Sequence, residues 1–398
     1  MDTCELAELE TQATREVLLP HQTTNFMGTP SENSIFVLEA LDGHARAGTL
    51  HTPHGQVPTP VYCPVGTHAT VKAASPRALR DLGVTQILAN AYHLHLRPGD
   101  ELVAELGGLH HFMGWDRAIL TDSGGYQIFS LANRREVDAD GVTFRSHIDG
   151  SQQRFTPESV IAIQENLGAD LITCLDECAE PFNYDYNVDA LERTHAWARR
   201  CKAFKSRSDQ ALFGIVQGGI FPDLRERSAE FLTDLDFDGY AIGGLSVGES
   251  KEQMHAILEL MDALLPAGRV RYLMGVGTPV DLVECTARGI DMFDCVLPTR
   301  MARNGGVLTR TGRLNISNAR FTDDPRPLES GCTCYACANF SRAYLRHLNW
   351  ADEILGHQLI TIHNLHVMLT IAREIRQAVL EGRFRDYREA FWQNRSQE

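Results

Sequence analysis

From residue 35 onward, short apolar segments alternate with helical stretches about eight times, and this alternation is the strongest constraint on the fold. Apolar runs at 60–64, 85–89, 118–121, 171–175, 212–216, 240–242, 272–275 and 289–293 predict strands. Segments of helical period at 156–167, 188–206, 223–233, 251–264 and 279–288 lie between them. A strand–helix unit repeated this often predicts parallel strands closing into a (β/α)8 TIM barrel. An open doubly wound sheet is the competing arrangement, but no glycine-rich dinucleotide fingerprint follows the first strand. A chain of 398 residues that is 43% hydrophobic has enough apolar material for a large core with an insertion. Residues 1–34 mix Glu, Thr, Gln and Pro without periodicity and are expected to form a flexible N-terminal extension. Residues 35–398 are expected to form the barrel, with a metal-binding subdomain at about 300–365.

Polar residues gather where the strands end. Asp122 closes the third predicted strand, Asp176 follows the fourth, Gln217 the fifth, Gly243-Gly244 the sixth and Asp294 the eighth. One aspartate after a strand is ordinarily a helix cap. Five strands that agree on one rim of a barrel point instead to an active site. Two carboxylates there, Asp122 and Asp294, suit glycosidic chemistry, in which one attacks carbon and the other handles protons.

The substrate is suggested by charge. The chain is acidic, at −15, yet from Cys295 to Thr322 it holds five arginines (300, 303, 310, 313 and 320) and no Asp, Glu or Lys. Guanidinium forks suit phosphate oxygens, so this local inversion predicts an RNA surface; a solvated hairpin is the plainer alternative. For a guanine-like base, Asp176 is placed to accept from N1–H and the 2-amino group. Gln217 and a backbone N–H of Gly243-Gly244 are placed to donate to O6. Tyr126 and Met274 suit stacking on the ring, although a lone methionine is more often core.

Cys332-x-Cys334-x-x-Cys337 is crowded enough for three thiolates to meet one tetrahedral ion. A fourth ligand is needed, and His347, His357, His363 and His366 all follow within reach. A closed site of this kind would hold one structural Zn2+. The polar start of the chain has no signal-peptide character and no apolar run approaches transmembrane length, so a cytoplasmic location is expected.

Several longer motifs then bear a resemblance. They are Thr121-Asp-Ser-Gly-Gly-Tyr-Gln-Ile-Phe-Ser-Leu131, Leu175-Asp-Glu-Cys178, Val216-Gln-Gly-Gly219, Ile242-Gly-Gly-Leu-Ser-Val-Gly-Glu249, Leu273-Met-Gly-Val-Gly277 and Phe293-Asp-Cys-Val-Leu-Pro-Thr-Arg300, together with the cysteine cluster. In this order they closely resemble the tRNA-guanine transglycosylase family, from about residue 35 to the C-terminus. The resemblance implies a (β/α)8 barrel with a zinc-bearing insertion. It implies exchange of the wobble guanine of GUN-anticodon tRNAs (Asp, Asn, His, Tyr) for 7-aminomethyl-7-deazaguanine, in queuosine biosynthesis, through a covalent RNA–enzyme intermediate. Asp294 is then the nucleophile and Asp122 the general acid/base. Ser123, Tyr126, Asp176, Cys178, Gln217, Gly243, Gly244, Leu245 and Met274 form the base site, and Arg300 and Arg303 hold neighbouring anticodon nucleotides. His363 becomes the fourth zinc ligand, and a homodimer is expected. Cys178 and Val247 match the bacterial pattern; the queuine-inserting branch has glycine in place of Val247. Glu249 matches a residue supporting the peptide near Leu245-Ser246, whose carbonyl receives the aminomethyl cation. A queuine-inserting enzyme and a non-catalytic tRNA-binding subunit are the alternatives, and retention of both aspartates argues against the latter.

Overall fold

A computed structural model describes residues 34–130 and 135–395; all but the last residue of the expected flexible extension lies outside the described residues. Eight parallel strands form the central sheet: β1 (Val61–Cys63), β2 (Gln86–Asn90), β3 (Ala118–Asp122), β4 (Leu171–Thr173), β5 (Ala211–Val216), β6 (Gly239–Ile242), β7 (Val270–Leu273) and β8 (Met292–Asp294). Their order is β1-β8-β7-β6-β5-β4-β3-β2. The ring closes just beyond β1, where Val65 pairs in parallel with Leu88 and the Leu88 N–H donates to the Pro64 carbonyl at 3.0 Å. This is the (β/α)8 barrel that the alternation predicts.

Side chains along each strand point alternately inward and outward. Along β3, Leu120 joins the inner cluster with Cys63, Leu88, Phe213, Ala241 and Met292, while Ile119 packs outward among the helices. The outer layer is built on apolar helix faces such as Val160 and Ile161 of Pro157–Leu167 and Met254 and Leu258 of Lys251–Leu264. Both helices start with capping boxes, at Thr156 and Ser250, which satisfy N–H groups that the first turn would otherwise leave open.

Most strand bounds move by a residue or two, and two strand starts move by at least two residues. β7 begins at Val270 rather than 272 because Arg271 belongs to it; the guanidinium is buried, with Nη1 donating to Asp262 and Nη2 to the Leu265 carbonyl. β8 begins at Met292 rather than 289 because Gly289, at φ +82°, still belongs to the helix end before it. Two small antiparallel sheets were not predicted, since charged, polar and small residues interrupt the apolar runs of their strands. One (Phe36–Asp42, Ala45–Thr52, Gly55–Thr59) sends Phe36, Leu50 and Val57 into the inner cluster and so plugs the N-terminal mouth. The other (Arg135–Asp138, Gly141–Arg145, Gln152–Phe155) lies between β3 and β4.

After β8 the chain forms a hairpin (Gly306–Leu308 with Arg313–Asn315) and helices Tyr335–Asn339 and Arg342–Trp350 around a second small core of Val307, Ile316, Phe321, Leu328 and Leu345. The 27-residue helix Ile354–Leu380 then joins both cores: Leu359 and Ile360 belong to the insertion, Leu365, Met368 and Ile375 to the barrel. No helix among the described residues is long and apolar enough to cross a membrane.

Candidate active site and metal centre

The C-terminal ends of the strands open into a cavity of about 570 Å³, a size that suits one nucleoside-like ligand. Asp294, Asp122, Ser123, Tyr126, Asp176, Cys178, Gln217, Gly243, Gly244, Leu245, Met274, Val247 and Arg300 all line it. Arg303 does not. It caps the helix Leu297–Ala302, with Nη1 donating to the Thr299 carbonyl at 3.0 Å.

Both aspartates sit at a strand end, as the sequence predicts. Asp294 ends β8 and is 8% exposed. Its Oδ1 accepts from the Tyr272 hydroxyl at 2.6 Å and the Gly275 N–H at 2.7 Å. Burial raises its pKa above the usual carboxylate range, and those two donors oppose the rise. Asp122 ends β3; its Oδ2 accepts from Asn90 Nδ2 at 2.6 Å and its Oδ1 from the Ala91 N–H at 3.2 Å. Burial pushes it up to about 7, and the charges of Asp294 and Asp176 add to the effect. A carboxyl with this affinity can hold or release a proton near neutrality, which is what general acid–base work needs.

Asp176 is buried and pushed up by burial to about 6. Gln217 Nε2 donates to its Oδ2 at 2.7 Å and Ser123 Oγ to its Oδ1 at 3.4 Å, and both oppose that rise. The loop Ser123-Gly124-Gly125 approaches so closely that a Cβ on Gly125 would lie 2.6 Å from Asp176 Oδ1, and one on Gly124 would lie 2.6 Å from Tyr92 Cβ. Tyr126 is 57% exposed, so one face of the ring is available for stacking. Glu249 accepts N–H bonds from Ser246 and, at 3.0 Å, from Val247. In a trans peptide, that arrangement turns the Leu245 carbonyl away from Glu249.

Residue-by-residue reading missed Asn90, Tyr272 and Gly275. Asn90 was legible, because it ends the second strand just as Asp122 ends the third. Tyr272 had a weaker signal: a tyrosine inside a barrel needs a partner for its hydroxyl, and Asp294 ends the neighbouring strand. Gly275 acts through its backbone, which carries no side-chain signal.

In the insertion, Cys332, Cys334, Cys337 and His363 come together with all four ligand atoms within 4.8 Å of one another. His363 Nδ1 lies 3.6, 3.5 and 3.3 Å from the three sulfurs. Bond lengths of about 2.3 Å to sulfur and 2.0 Å to nitrogen give a tetrahedral edge of roughly 3.6 Å, so the donor set fits zinc. The other ring nitrogen, Nε2, donates to the Leu308 carbonyl at 2.8 Å, which leaves Nδ1 free to bind metal. Four protein donors leave no open position, so this zinc is structural. Of the four candidate histidines only His363 completes the set; His357 lies instead 3.6 Å from Asp352. The arginine stretch is divided in use. Arg310 pairs with Glu374 at 2.6 Å and Arg320 lies over the Phe321 ring.

Residues 42–397 match the family model described as Queuine tRNA-ribosyltransferase. Curated relatives of that name align over nearly their whole length. The protein from Desulforamulus reducens is 56% identical over 357 residues, 89% of this chain and 96% of the relative. That from Pelotomaculum thermopropionicum is 58% identical over 348 residues, 87% of this chain and 94% of the relative. That from Staphylococcus aureus is 54% identical over 351 residues, 88% and 93% respectively. With the barrel, the rim carboxylates and the Cys3His cluster in place, and with matches of this extent, the chain belongs to the queuine tRNA-ribosyltransferase family.

Proposed function

We propose that this transglycosylase exchanges the wobble guanine of GUN-anticodon tRNAs for 7-aminomethyl-7-deazaguanine by two displacements at the ribose C1′. The observation that carries this reading is the pair of buried carboxylates in one cavity, held in different hydrogen-bond environments beside a set of base-reading groups. Both hydrogen bonds to Asp294 fall on Oδ1, and among the described residues none reaches Oδ2. Oδ2 is therefore the oxygen offered to carbon. Asp294 attacks C1′, guanine leaves with the glycosidic electron pair, and an ester joins RNA to enzyme. Asp122 supplies the proton that neutralises the departing base and takes one from the incoming base. The second displacement restores the original configuration at C1′.

Asp176, with Ser123 and Gln217 behind it, accepts from N1–H and the 2-amino group. Gln217 and the Gly243-Gly244-Leu245 backbone take O6 and the ring edge, while Tyr126 and Met274 stack on the ring. Arg300 lines the cavity and holds a phosphate of the anticodon loop; Arg303 extends that contact beyond the cavity. A loop base is extruded at lower cost than one in a duplex. Val247 and Cys178 limit the space beside the 7-position of the bound base, and the Glu249-braced peptide turns a carbonyl toward an aminomethyl cation. The name carried by the relatives favours queuine insertion as the second reading. Homodimerisation is supported by exposed aromatics on the insertion: Tyr335 (60%), Trp350 (79%) and Tyr344 (39%), with Phe340 ring contacts at 5.8 Å to Tyr335 and 5.4 Å to Tyr344. A cytoplasmic site of action agrees with a tRNA substrate.

Incorporation of labelled guanine into tRNA by the purified chain tests the reaction. Competition between 7-aminomethyl-7-deazaguanine and queuine tests the base. No incorporation would sink the catalytic reading, and preferential use of queuine would replace the proposed base.

A further inference from the structure

Arg225 lies in the first turn of the helix Pro222–Asp234, behind the base-reading wall, and is 0% exposed. Its guanidinium donates only to backbone carbonyls: Nε to Gly219 at 2.9 Å, Nη1 to Val216 at 2.8 Å and Nη2 to Gly243 at 2.9 Å. Among the described residues no carboxylate forms an ion pair with it. Burial draws its pKa down to about 10, which still leaves it charged at neutral pH. The charge of Glu249 reaches it without a direct contact; a buried cation with no directly paired carboxylate is costly, and an apolar side chain would fill the same space more cheaply.

The three carbonyls lie at two strand ends: Val216 closes β5 and Gly219 follows in its loop, while Gly243 opens the loop after β6. The Val216 carbonyl also accepts from the Gly243 N–H at 3.0 Å, so the two loops are already registered against each other. In a trans peptide the carbonyl and the following N–H point in opposite directions. Because the Gly243 carbonyl turns to Arg225, the Gly244 N–H turns the other way, toward the cavity wall at Cys178. Gly244 has φ +66°, a conformation that favours glycine, and a Cβ there would meet Gln217 Oε1 at 2.4 Å.

We propose that Arg225 is a positioning residue that makes the site select a 6-oxo purine and that eases departure of the base. It holds the Gly244 N–H toward the base oxygen and sets a positive charge, in direct contact with carbonyls rather than a carboxylate, behind that donor. The bond from C1′ to the base breaks as the bond from C1′ to Asp294 forms. The electron pair passes into the purine and spreads to the 6-oxygen, which faces the donor backed by Arg225. Asp122 then delivers the proton. This inference rests on the transglycosylase reading for its second half; selection among free bases stands apart from RNA chemistry.

The test compares Arg225→Met, Arg225→Lys and Ser228→Ala in the full chain. Ser228 Oγ accepts the Gln217 N–H at 3.2 Å from the same helix and makes no bond to Gly243, so its loss loosens the wall without turning the Gly244 donor. The ligands are guanine and 2-aminopurine, which keeps the 2-amino group and lacks the 6-oxygen. Arg225→Met is expected to weaken guanine about tenfold or more and 2-aminopurine by less than about threefold. Arg225→Lys should lie between, and Ser228→Ala should weaken both equally. In exchange, kcat should fall for Arg225→Met while KM for tRNA holds. Equal weakening of both bases in a folded, zinc-replete Arg225→Met protein would overturn the proposal. If the arginine variants do not fold, wild type decides alone. 8-Azaguanine, whose ring N–H is more acidic, should bind more tightly than guanine at one pH, and equal or weaker binding overturns the charge argument. A wild type that selects 6-oxo bases yet exchanges nothing into tRNA would refute the transglycosylase reading and leave the selectivity standing.

Discussion

Tyr272 donates its phenolic hydrogen to Asp294 Oδ1 across 2.6 Å, both groups being buried. The two residues lie on neighbouring strands of the barrel, β7 and β8. With the Gly275 N–H on the same oxygen, this bond fixes which carboxylate oxygen remains for substrate.

Tyr272→Phe removes that donor and leaves the ring. A hydrogen bond to a charged acceptor contributes about 1.5–3 kcal/mol, so exchange should slow by about tenfold to a hundredfold. KM for tRNA should stay near wild type, because the hydroxyl touches only the carboxylate. Single-turnover kinetics checks this, and an unchanged rate would remove Tyr272 from the site.

Asp294→Asn keeps the shape and loses the proposed nucleophile. Exchange should vanish, along with any RNA adduct that survives denaturing electrophoresis, while zinc content and melting temperature are kept. An active variant would reassign the attacking group.

Asp122 gives a signed pH dependence. Its folded pKa, about 7, lies above the carboxylate value of an unfolded chain, and burial is the main cause. Its contribution to stability is therefore fully present below about pH 4 and is lost as pH rises through about 7. Asp122→Asn escapes this loss. Its melting temperature relative to wild type should climb between pH 5 and pH 8, while exchange is abolished. A gap that stays constant with pH would show that the carboxyl is not held neutral.

Zinc should matter beyond the insertion, since His363 sits in the helix Ile354–Leu380 that also packs on the barrel. Cys337→Ala should lower zinc well below one equivalent per chain. Melting should drop by several degrees or more, given that structural zinc contributes on the order of 10 kcal/mol to its fold. Metal release monitored by a chromogenic chelator, alongside calorimetry, tests this. A zinc-free variant that melts like wild type would make the ion dispensable.

Arg303→Ala should weaken tRNA binding and flatten its dependence on salt by about one counter-ion. Free guanine should bind as before, because Arg303 does not line the cavity. RNA affinity that is unchanged at low salt would retire the phosphate contact.

The ends of the strands were more readable than their beginnings. Asp122, Asp176, Gln217 and Asp294 announce themselves as polar residues closing apolar runs, and all line one cavity. Arg271 hid the start of β7 because a charged side chain interrupts the apolar pattern, and only the fold reveals Asp262 waiting to pair with it. Arg303 looked equivalent to Arg300 in the sequence, yet one turn of helix carries it off the cavity. The plug sheet at 36–59 escaped notice because polar and small residues such as Glu39, Arg46 and Gly48 interrupt the apolar runs of its strands.

Sequence alone determined the repeating architecture, the rim on which the polar groups gather and the thiolates of the zinc site. Strand–helix alternation and close cysteine spacing are local properties, carried by neighbouring residues whatever the rest of the chain does. Tertiary structure decided which oxygen of Asp294 is free, how far burial lifts Asp122, that His363 sits against the cysteines and that Arg225 is held by carbonyls behind Gly244. These depend on closing the barrel, which brings residues distant in the chain within hydrogen-bond reach and removes the water that would otherwise level their charges.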